Sequence, residues 1–167
     1  MKKIIRNLLT VCFICYMILL IYYLFFSERY GRNQMYSTYQ YNLVFFRELR
    51  RYLFYRDQIG FELFMINVVG NVVAFMPFGY LVPVLYREQR GDKTHLGHYF
   101  RSFLFVTILG FLLSLSVETI QLFSKVGCFD VDDLMLNTMG VMVGFILYYV
   151  SKKLIRIFGK SKESGKE

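Results

Sequence analysis

Residues 114–144 read SLSVETIQLFSKVGCFDVDDLMLNTMGVMVG, and this stretch joins two strongly apolar segments of the chain. An unpartnered charge in hydrocarbon costs roughly several kcal/mol, so acidic side chains are rare in ordinary membrane spans. Polar side chains nevertheless stand on or beside the facing ends of these two segments, at Glu118, Gln121, Asp130, Asp132, Asp133 and Asn137. We interpret them as a candidate functional site.

Composition places the chain among membrane proteins. Its 167 residues are 56% apolar and 19% aromatic, and the mean hydropathy is +0.40, which is unusual for a soluble domain. The formal net charge of +8 does not indicate nucleic acid, because the basic residues are scattered between apolar runs and form no stripe. We expect the lipid bilayer as a partner and no nucleic acid, and we leave the oligomeric state open.

Four apolar runs are long enough to cross a membrane as helices. The first is long for a signal peptide and is followed by Ser27, Glu28 and Arg29 in place of a small-residue cleavage site, so we expect it to be retained. We predict an all-α, polytopic membrane helical bundle with spans at 8–26, 61–86, 101–123 and 133–151. The N-terminus at 1–7 and the loop at 87–100 would be cytoplasmic, and the loops at 27–60 and 124–132 extracellular. A cytoplasmic basic tail would follow at 152–167, disordered from residue 160.

The first loop also contains an amphipathic pattern. One helical face would be basic and another apolar, from Arg47, Arg50 and Arg51 and from Phe46, Leu49 and Leu53 respectively. This pattern predicts an interfacial helix in the headgroup region, after the first span. A solvated loop with a few exposed aromatic residues is the alternative.

The cysteine and histidine pairs predict no chemistry. Cys12 and Cys15 have a C-x-x-C spacing, but they lie in an uninterrupted apolar run that would solvate a thiolate poorly. Cys128 stands alone in a loop. His95 and His98 are three residues apart without a third ligand nearby, so a metal site there has little support.

Basic residues predict the orientation of the bundle. The two termini and the second loop, counted with Arg101 at its boundary, hold thirteen of the twenty Lys and Arg residues, which by the positive-inside rule places both termini in the cytoplasm. This orientation brings all the polar residues within the spans to the outer half of the bilayer. The second span contributes Asn67 and Asn71, the third Glu118 and Gln121, and the fourth Asp133 and Asn137.

Helical spacing gives each of these spans one polar face. Ser114, Glu118 and Gln121 follow the spacing i, i+4, i+7, and the fourth span continues its polar face with Gly140 and Gly144. This small-xxx-small pair predicts close helix packing within the chain. In the second span, Pro77 and Gly79 are candidate packing residues, and Pro77 should bend the helix.

Three chemical interpretations of the acidic group remain open. Glu118 would have a raised proton affinity among other carboxylates, and is the best candidate for a general base if the protein is an enzyme. Asp130, Asp132 and Asp133 offer oxygen ligands for a divalent cation, although they lack the spacing of an EF-hand. Alternatively, Asp132 or Asp133 caps the fourth helix and Glu118 pairs with an arginine of the first loop.

These residues resemble the VanZ-like family of bacterial membrane proteins, which is named for an accessory factor in teicoplanin resistance. The resemblance covers residues 36–150. It depends on NVVGNVVAFMPFGYLVP, on Glu118-x-x-Gln121 and on FDVDDLMLNTMGVMVG, in that order. The family's recurrent positions correspond here to Asn67, Asn71, Phe75, Pro77, Gly79, Glu118, Gln121, Asp130, Asp132, Asp133, Asn137, Gly140 and Gly144.

The resemblance implies a multi-pass protein of the cell membrane and a contribution to glycopeptide tolerance, without implying a known reaction. Two positions depart from the family pattern. Related sequences commonly have proline at the position of Phe45 and arginine at that of Cys128. If that arginine pairs with the carboxylates or with a phosphate, this function is altered in the present chain.

The first functional hypothesis is a non-enzymatic envelope protein that binds a lipid or a lipid-linked cell-wall precursor at the outer leaflet. Its ligand-binding residues would be Asn67, Asn71, Glu118, Gln121, Asp130, Asp132, Asp133 and Asn137. A metal-dependent enzyme acting on a lipid headgroup is an alternative, although no nucleophile motif such as G-x-S-x-G is present. An ion or proton pathway is the third, although the cytoplasmic half offers no polar partner within the spans.

Overall fold

The computed structural model describes residues 2–26, 36–47, 50, 51, 54, 61–88 and 96–164. Four long helices dominate it: α1 (Lys2–Phe26), α2 (Phe61–Glu88), α3 (Leu96–Ser124) and α4 (Val131–Ser164). Each is long and apolar enough to cross a membrane. The predicted all-α, polytopic bundle is confirmed.

Helices α2 and α4 make the most extensive contact in the bundle. A Cβ atom added at Gly140 would lie 2.2 Å from the carbonyl oxygen of Val72, and one at Gly144 would lie 2.0 Å from that of Met76. Only glycine fits such distances, so the two helices touch backbone to backbone. Gly79 makes the reciprocal approach from α2.

Helix α3 packs against α4 at the fully buried Val141. A Cβ atom at Gly110 would lie 2.4 Å from Cγ2 of Val141, and one at Gly79 would lie 2.0 Å from the Val141 carbonyl oxygen. Val141 therefore marks the junction of α2, α3 and α4. Phe75, Val106 and Phe145 belong to the same buried apolar core.

Helix α1 lies at the edge of the bundle, against α2. Leu20 and Leu24 are buried, and the Tyr16 hydroxyl donates to the carbonyl oxygen of Ala74 at 2.8 Å. Most other side chains of α1 are exposed and apolar, as are Val73, Ile108 and Ile146 on the other helices. Such surfaces suit a lipid environment, where apolar exposure carries no penalty.

A short parallel strand pair was not predicted. β1 (Gln40–Asn42) pairs with β2 (Cys128–Asp130), with Asn42 opposite Asp130. The pair attaches the chain after α1 to the turn between α3 and α4. Lys125 strengthens this attachment, because its carbonyl oxygen accepts the Tyr36 N–H at 2.9 Å and its ammonium donates to the carbonyl oxygen of Ser37 at 3.3 Å.

The last helix is longer than the membrane span predicted within it. Helix α4 begins at Val131 and continues to Ser164, whereas the prediction ended the span at 151 and left the residues from 160 disordered. Apolar residues recur at helical spacing among the basic ones in this part of α4, at Leu154, Ile155, Ile157 and Phe158, and they favour a helix over a free tail.

The predicted interfacial helix falls partly outside the described residues, which do not include Leu49 and Leu53. Arg47, Arg50, Arg51 and Phe54 are helical, and the Arg50 N–H donates to the carbonyl oxygen of Phe46 at 2.9 Å. Phe46 itself has a φ of 60°, so a helical turn begins directly after it. His95 and the segments 27–35, 55–60 and 89–94 lie outside the described residues.

Candidate functional site

The candidate site is built on the N-terminus of α4, where the first backbone N–H groups lack partners within the helix. Asp130 immediately precedes the helix, and its Oδ1 accepts the N–H of Asp132 at 2.8 Å. This is the geometry of an N-cap. The cap is thus Asp130, and the sequence interpretation that assigned it to Asp132 or Asp133 is wrong.

Glu118 supports this cap from the neighbouring helix. Its Oε2 accepts the backbone N–H of Asp130 at 2.9 Å, and the residue is only 2% exposed. In a capping box, the side chain at the third helical position takes the N–H of the capping residue. Here α3 supplies that acceptor, so Asp133 at the third helical position is used elsewhere.

The two following carboxylates connect α4 to two other parts of the fold. Asp133 Oδ1 accepts from Asn71 Nδ2 at 2.5 Å, which connects the start of α4 to α2. Asp132 Oδ1 accepts the backbone N–H of Phe46 at 2.6 Å. Both carboxylates lie in the first turn of α4, where the helix dipole favours negative charge.

Asn42 is a member of this cluster that the sequence analysis missed. It is 3% exposed, its Nδ2 donates to Asp130 Oδ1 at 3.0 Å, and its Oδ1 accepts the Val44 N–H at 3.2 Å. An amide flanked by apolar and aromatic residues in YNLVFF was the available signal. Asp130, the residue bonded to it, lies 88 positions further along the chain.

Deeper in the bundle, a second polar contact joins α3 to α4. Asn137 Nδ2 donates to the Ser114 hydroxyl at 2.9 Å, and both residues are buried. Asn137 Oδ1 has no hydrogen-bond partner among the described residues, and neither has the Thr107 hydroxyl two turns below Ser114 on α3. The polar face of α3 therefore extends further into the bundle than the sequence analysis proposed.

Gln121 has a different role from the other predicted site residues. Its Nε2 donates to the carbonyl oxygen of Leu24 at 2.9 Å. Leu24 is in the last turn of α1, where carbonyl groups lack helical partners, so Gln121 fixes the end of α1. Asn67 is half-buried one turn before Asn71. The hydrogen bonds described above for the carboxylates do not include Asn67. Pro77 is half-buried within α2.

The site therefore contains residues of α2, α3, α4 and the strand pair at one end of the bundle. A comparison with known proteins assigns the chain to a family. The family model described as VanZ/LLP1 matches residues 13–155. The chain belongs to the VanZ/LLP1 family. The resemblance drawn from the sequence is confirmed, and the protein is a multi-pass membrane protein.

A relative of this VanZ/LLP1 protein is Protein VanZ from Enterococcus faecium. The two are 34% identical over 87 residues, which is 52% of this chain and 47% of the relative. The chain thus matches about half the length of that curated relative. No solved structure matches the chain.

The carboxylates of this VanZ/LLP1 member are engaged in hydrogen bonds with donors of the protein itself. Among the residues that the structure describes, no group of three or more His, Cys, Asp or Glu side chains could hold a metal ion. Asp130, Asp132 and Asp133 instead direct oxygens at N–H groups of Asp132, Phe46 and Asn71 respectively. The divalent cation at these aspartates stays a prediction of the sequence.

Two groups of the strand pair, Asp130 and Cys128, have raised pKa values, and burial is the largest cause in both. Partial burial raises the pKa of Asp130, against the lowering effects of its hydrogen bonds and of the Arg47 charge. Burial, together with the charges of Asp130, Glu118 and Asp133, raises the pKa of Cys128 to about 11. Cys128 thus stands in a negative field, at the position where the family resemblance implies an arginine.

Proposed function

We propose that this VanZ/LLP1 member binds the headgroup region of a lipid or of a lipid-linked cell-wall precursor at the outer leaflet, and thereby contributes to teicoplanin tolerance. Family membership supports the link to glycopeptide resistance. The orientation is the one that the positive-inside rule predicts, with both termini in the cytoplasm of a cell in whose plasma membrane the protein resides. The carboxylate cluster then faces the exterior.

The surface formed by residues 41–46 carries the proposal. Leu43 and Phe45 are 61% and 58% exposed, and Tyr41, Val44 and Phe46 are exposed as well. Directly beside them lie the partly exposed carboxylates Asp130 and Asp133. An apolar surface that adjoins anionic and amide groups matches an amphiphilic ligand, with acyl groups on one side and hydrogen-bonding headgroup atoms on the other.

The hydrogen bonds explain how these apolar side chains stay outside. Asn42 and the Phe46 N–H are fixed to Asp130 and Asp132, so the segment between them cannot turn its apolar side chains inward without breaking buried bonds. Each such bond contributes on the order of 1 kcal/mol. The cluster therefore acts as the support of a binding surface, and ligand contact takes place at its rim.

Tolerance to antibiotics tests the proposal. The full chain would be expressed in a teicoplanin-sensitive bacterium, where we expect the minimal inhibitory concentration to rise more for teicoplanin than for vancomycin. A double variant, Leu43→Ser with Phe45→Ser, should lose this protection. The matched control, Ile155→Ser with Phe158→Ser, changes two exposed apolar residues at the opposite end of the bundle and should keep it.

Two results would overturn the proposal. One is unchanged tolerance with the wild-type protein present in the membrane, and the other is full protection by the Leu43→Ser, Phe45→Ser variant. The Cys128→Arg variant gives a further comparison, because it places a cation among Asp130, Glu118 and Asp133. If a cation contributes to headgroup binding in the family, this variant should protect at least as well as the wild type.

A further inference from the structure

A second candidate site lies at the other end of the bundle. An open cavity of about 590 Å³ runs between the start of α3 and the later part of α4. Its walls are almost entirely apolar and include Gly97, Phe100 and Phe103 from α3, and Phe145, Ile146 and Tyr149 from α4. Fifteen residues of α3 separate Phe103 from Glu118, so the two sites are about 22 Å apart along that helix.

Packed aromatic rings line this open cavity, which we call the groove, and it lies at membrane depth. Phe103 packs edge-on against Phe145 with ring centroids 5.5 Å apart, and Tyr99 packs edge-on against Tyr149 at 4.9 Å. Except for Gly97, the lining residues belong to the segments of α3 and α4 that are apolar enough to span a membrane. In a bilayer, the groove therefore lies at the depth of the lipid acyl chains.

Basic side chains follow one end of the groove on α4. On α4, Lys152, Lys153 and Arg156 follow Tyr149 at i+3, i+4 and i+7, so they continue the same helical face one to two turns further. On α3, exposed Arg101 lies between Tyr99 and Phe103, alongside the groove, and the first turn of α3 contains no acidic residue. An apolar slot with a cationic end is complementary to a lipid that carries a negative headgroup.

We propose that the groove between α3 and α4 binds an acyl chain of an anionic phospholipid, whose phosphate contacts the basic residues around its end. This site is independent of the outer-leaflet function proposed above. The volume is in the range of ligand pockets. Basic residues near a membrane surface each favour anionic lipid by about five-fold, so a charge-neutral phospholipid should bind more weakly.

Tryptophan fluorescence tests this proposal, because the chain has no tryptophan of its own. The full-length Tyr149→Trp variant would be placed in phosphatidylcholine nanodiscs that contain a low fraction of phosphatidylglycerol with brominated acyl chains, which quench nearby indoles. We expect stronger quenching than with the same fraction of brominated phosphatidylcholine. An Ile108→Trp variant, on the exposed face of α3, should show no such preference.

Two further changes separate the groove from general attraction by the basic tail. Arg101→Gln with Lys153→Gln, added to the Tyr149→Trp variant, should reduce the preference about five-fold per residue. Gly97→Leu keeps every charge and fills the groove, since a Cβ at Gly97 meets nothing within 4 Å. It should also remove the preference, and Gly97→Ala should largely retain it.

The results that would overturn the proposal are specific. Equal quenching by the two brominated lipids would refute lipid selection, and an undiminished preference in Gly97→Leu would refute binding in the groove. Inorganic phosphate in the buffer should not compete with the lipid. If it abolishes the preference, the basic end is an anion site that does not need an acyl chain. Circular dichroism would verify that each variant remains helical.

Discussion

The substitution Gly144→Ala tests the packing that holds α2 against α4. The added Cβ atom would lie 2.0 Å from the Met76 carbonyl oxygen and 3.1 Å from the Cα of Gly79. Ordinary van der Waals contact begins at 3.4 Å. Because the obstructing atoms belong to the backbone, no side-chain rotation relieves the overlap, and the two helices must separate by more than 1 Å at this point.

The separation determines the expected magnitude. A radial gap of about 0.5–1 Å already removes about a quarter to a half of the dispersion attraction between packed atoms, and overpacking of a tight interface typically costs about 1–3 kcal/mol. Alanine offsets part of this loss, since it favours a helix by up to about 1 kcal/mol over glycine. We expect a net loss of about 2 kcal/mol in the free energy of unfolding.

The measurement is reversible unfolding in mixed micelles, followed by far-ultraviolet circular dichroism. Gly140→Ala should give a similar loss, because its Cβ would lie 2.2 Å from the Val72 carbonyl oxygen. Gly97→Ala is the matched control in open space and should be neutral or slightly stabilising. If Gly144→Ala unfolds at the same denaturant concentration as Gly97→Ala, the backbone contact between α2 and α4 does not exist as described.

Three other predictions concern the carboxylate cluster. Asn42→Ala removes a hydrogen-bond donor from Asp130, so it should lower the free energy of unfolding by about 1–2 kcal/mol and accelerate proteolysis between α1 and α2. Gln40→Ala, at an exposed position, should do neither. Equal cleavage rates in the two variants would contradict the hydrogen bond between Asn42 and Asp130. Asp130→Asn should remove a pH dependence of stability. Because the pKa of Asp130 is raised from 3.8 in the folded state, the folded protein retains a proton that the unfolded chain has released, so the stability of the wild type relative to the variant falls as the pH rises from 3.8 through the raised pKa. A stability difference that is independent of pH in unfolding titrations would contradict this. With the other two cysteines changed to serine, Cys128 should react with a maleimide at pH 8 about 100-fold more slowly than a free thiol. The reason is that burial and the nearby carboxylates raise its pKa from 9.0 to about 11, which reduces the thiolate fraction. Reaction at the rate of a free thiol would refute this combined effect of burial and negative charge.

Sequence predicted the helices and their polar faces because both signals are local. Hydropathy over about twenty residues identifies a span, and the spacing of Glu118 and Gln121, or of Asp133 and Asn137, is set by the helix repeat. The observed hydrogen bond between Asn71 and Asp133 lies at the end of the bundle where the predicted orientation brings the polar residues together. None of these inferences needs a contact between distant parts of the chain.

The strand pair and the cap were not predictable in the same way. Strands of three residues have no measurable period, and the register that sets Asn42 opposite Asp130 depends on how the loop folds back. The choice of Asp130 over Asp132 as the cap depends on one backbone conformation at the start of α4. Three aspartates within four residues make that choice ambiguous in sequence, and only the geometry of the N–H groups decides it.

The arrangement explains how several carboxylates coexist at the end of a membrane bundle. A buried carboxylate is tolerated when N–H donors replace its water, and the first turn of a helix supplies such donors with a favourable dipole. Asp130 uses this source directly, and Glu118 takes the N–H of Asp130 itself. The acidic residues thus satisfy backbone and amide donors that the fold would otherwise leave unpaired. Under the proposed function, a ligand would therefore not need to neutralise the cluster, and selectivity should depend on the apolar rim at 41–46 and on the residue at position 128.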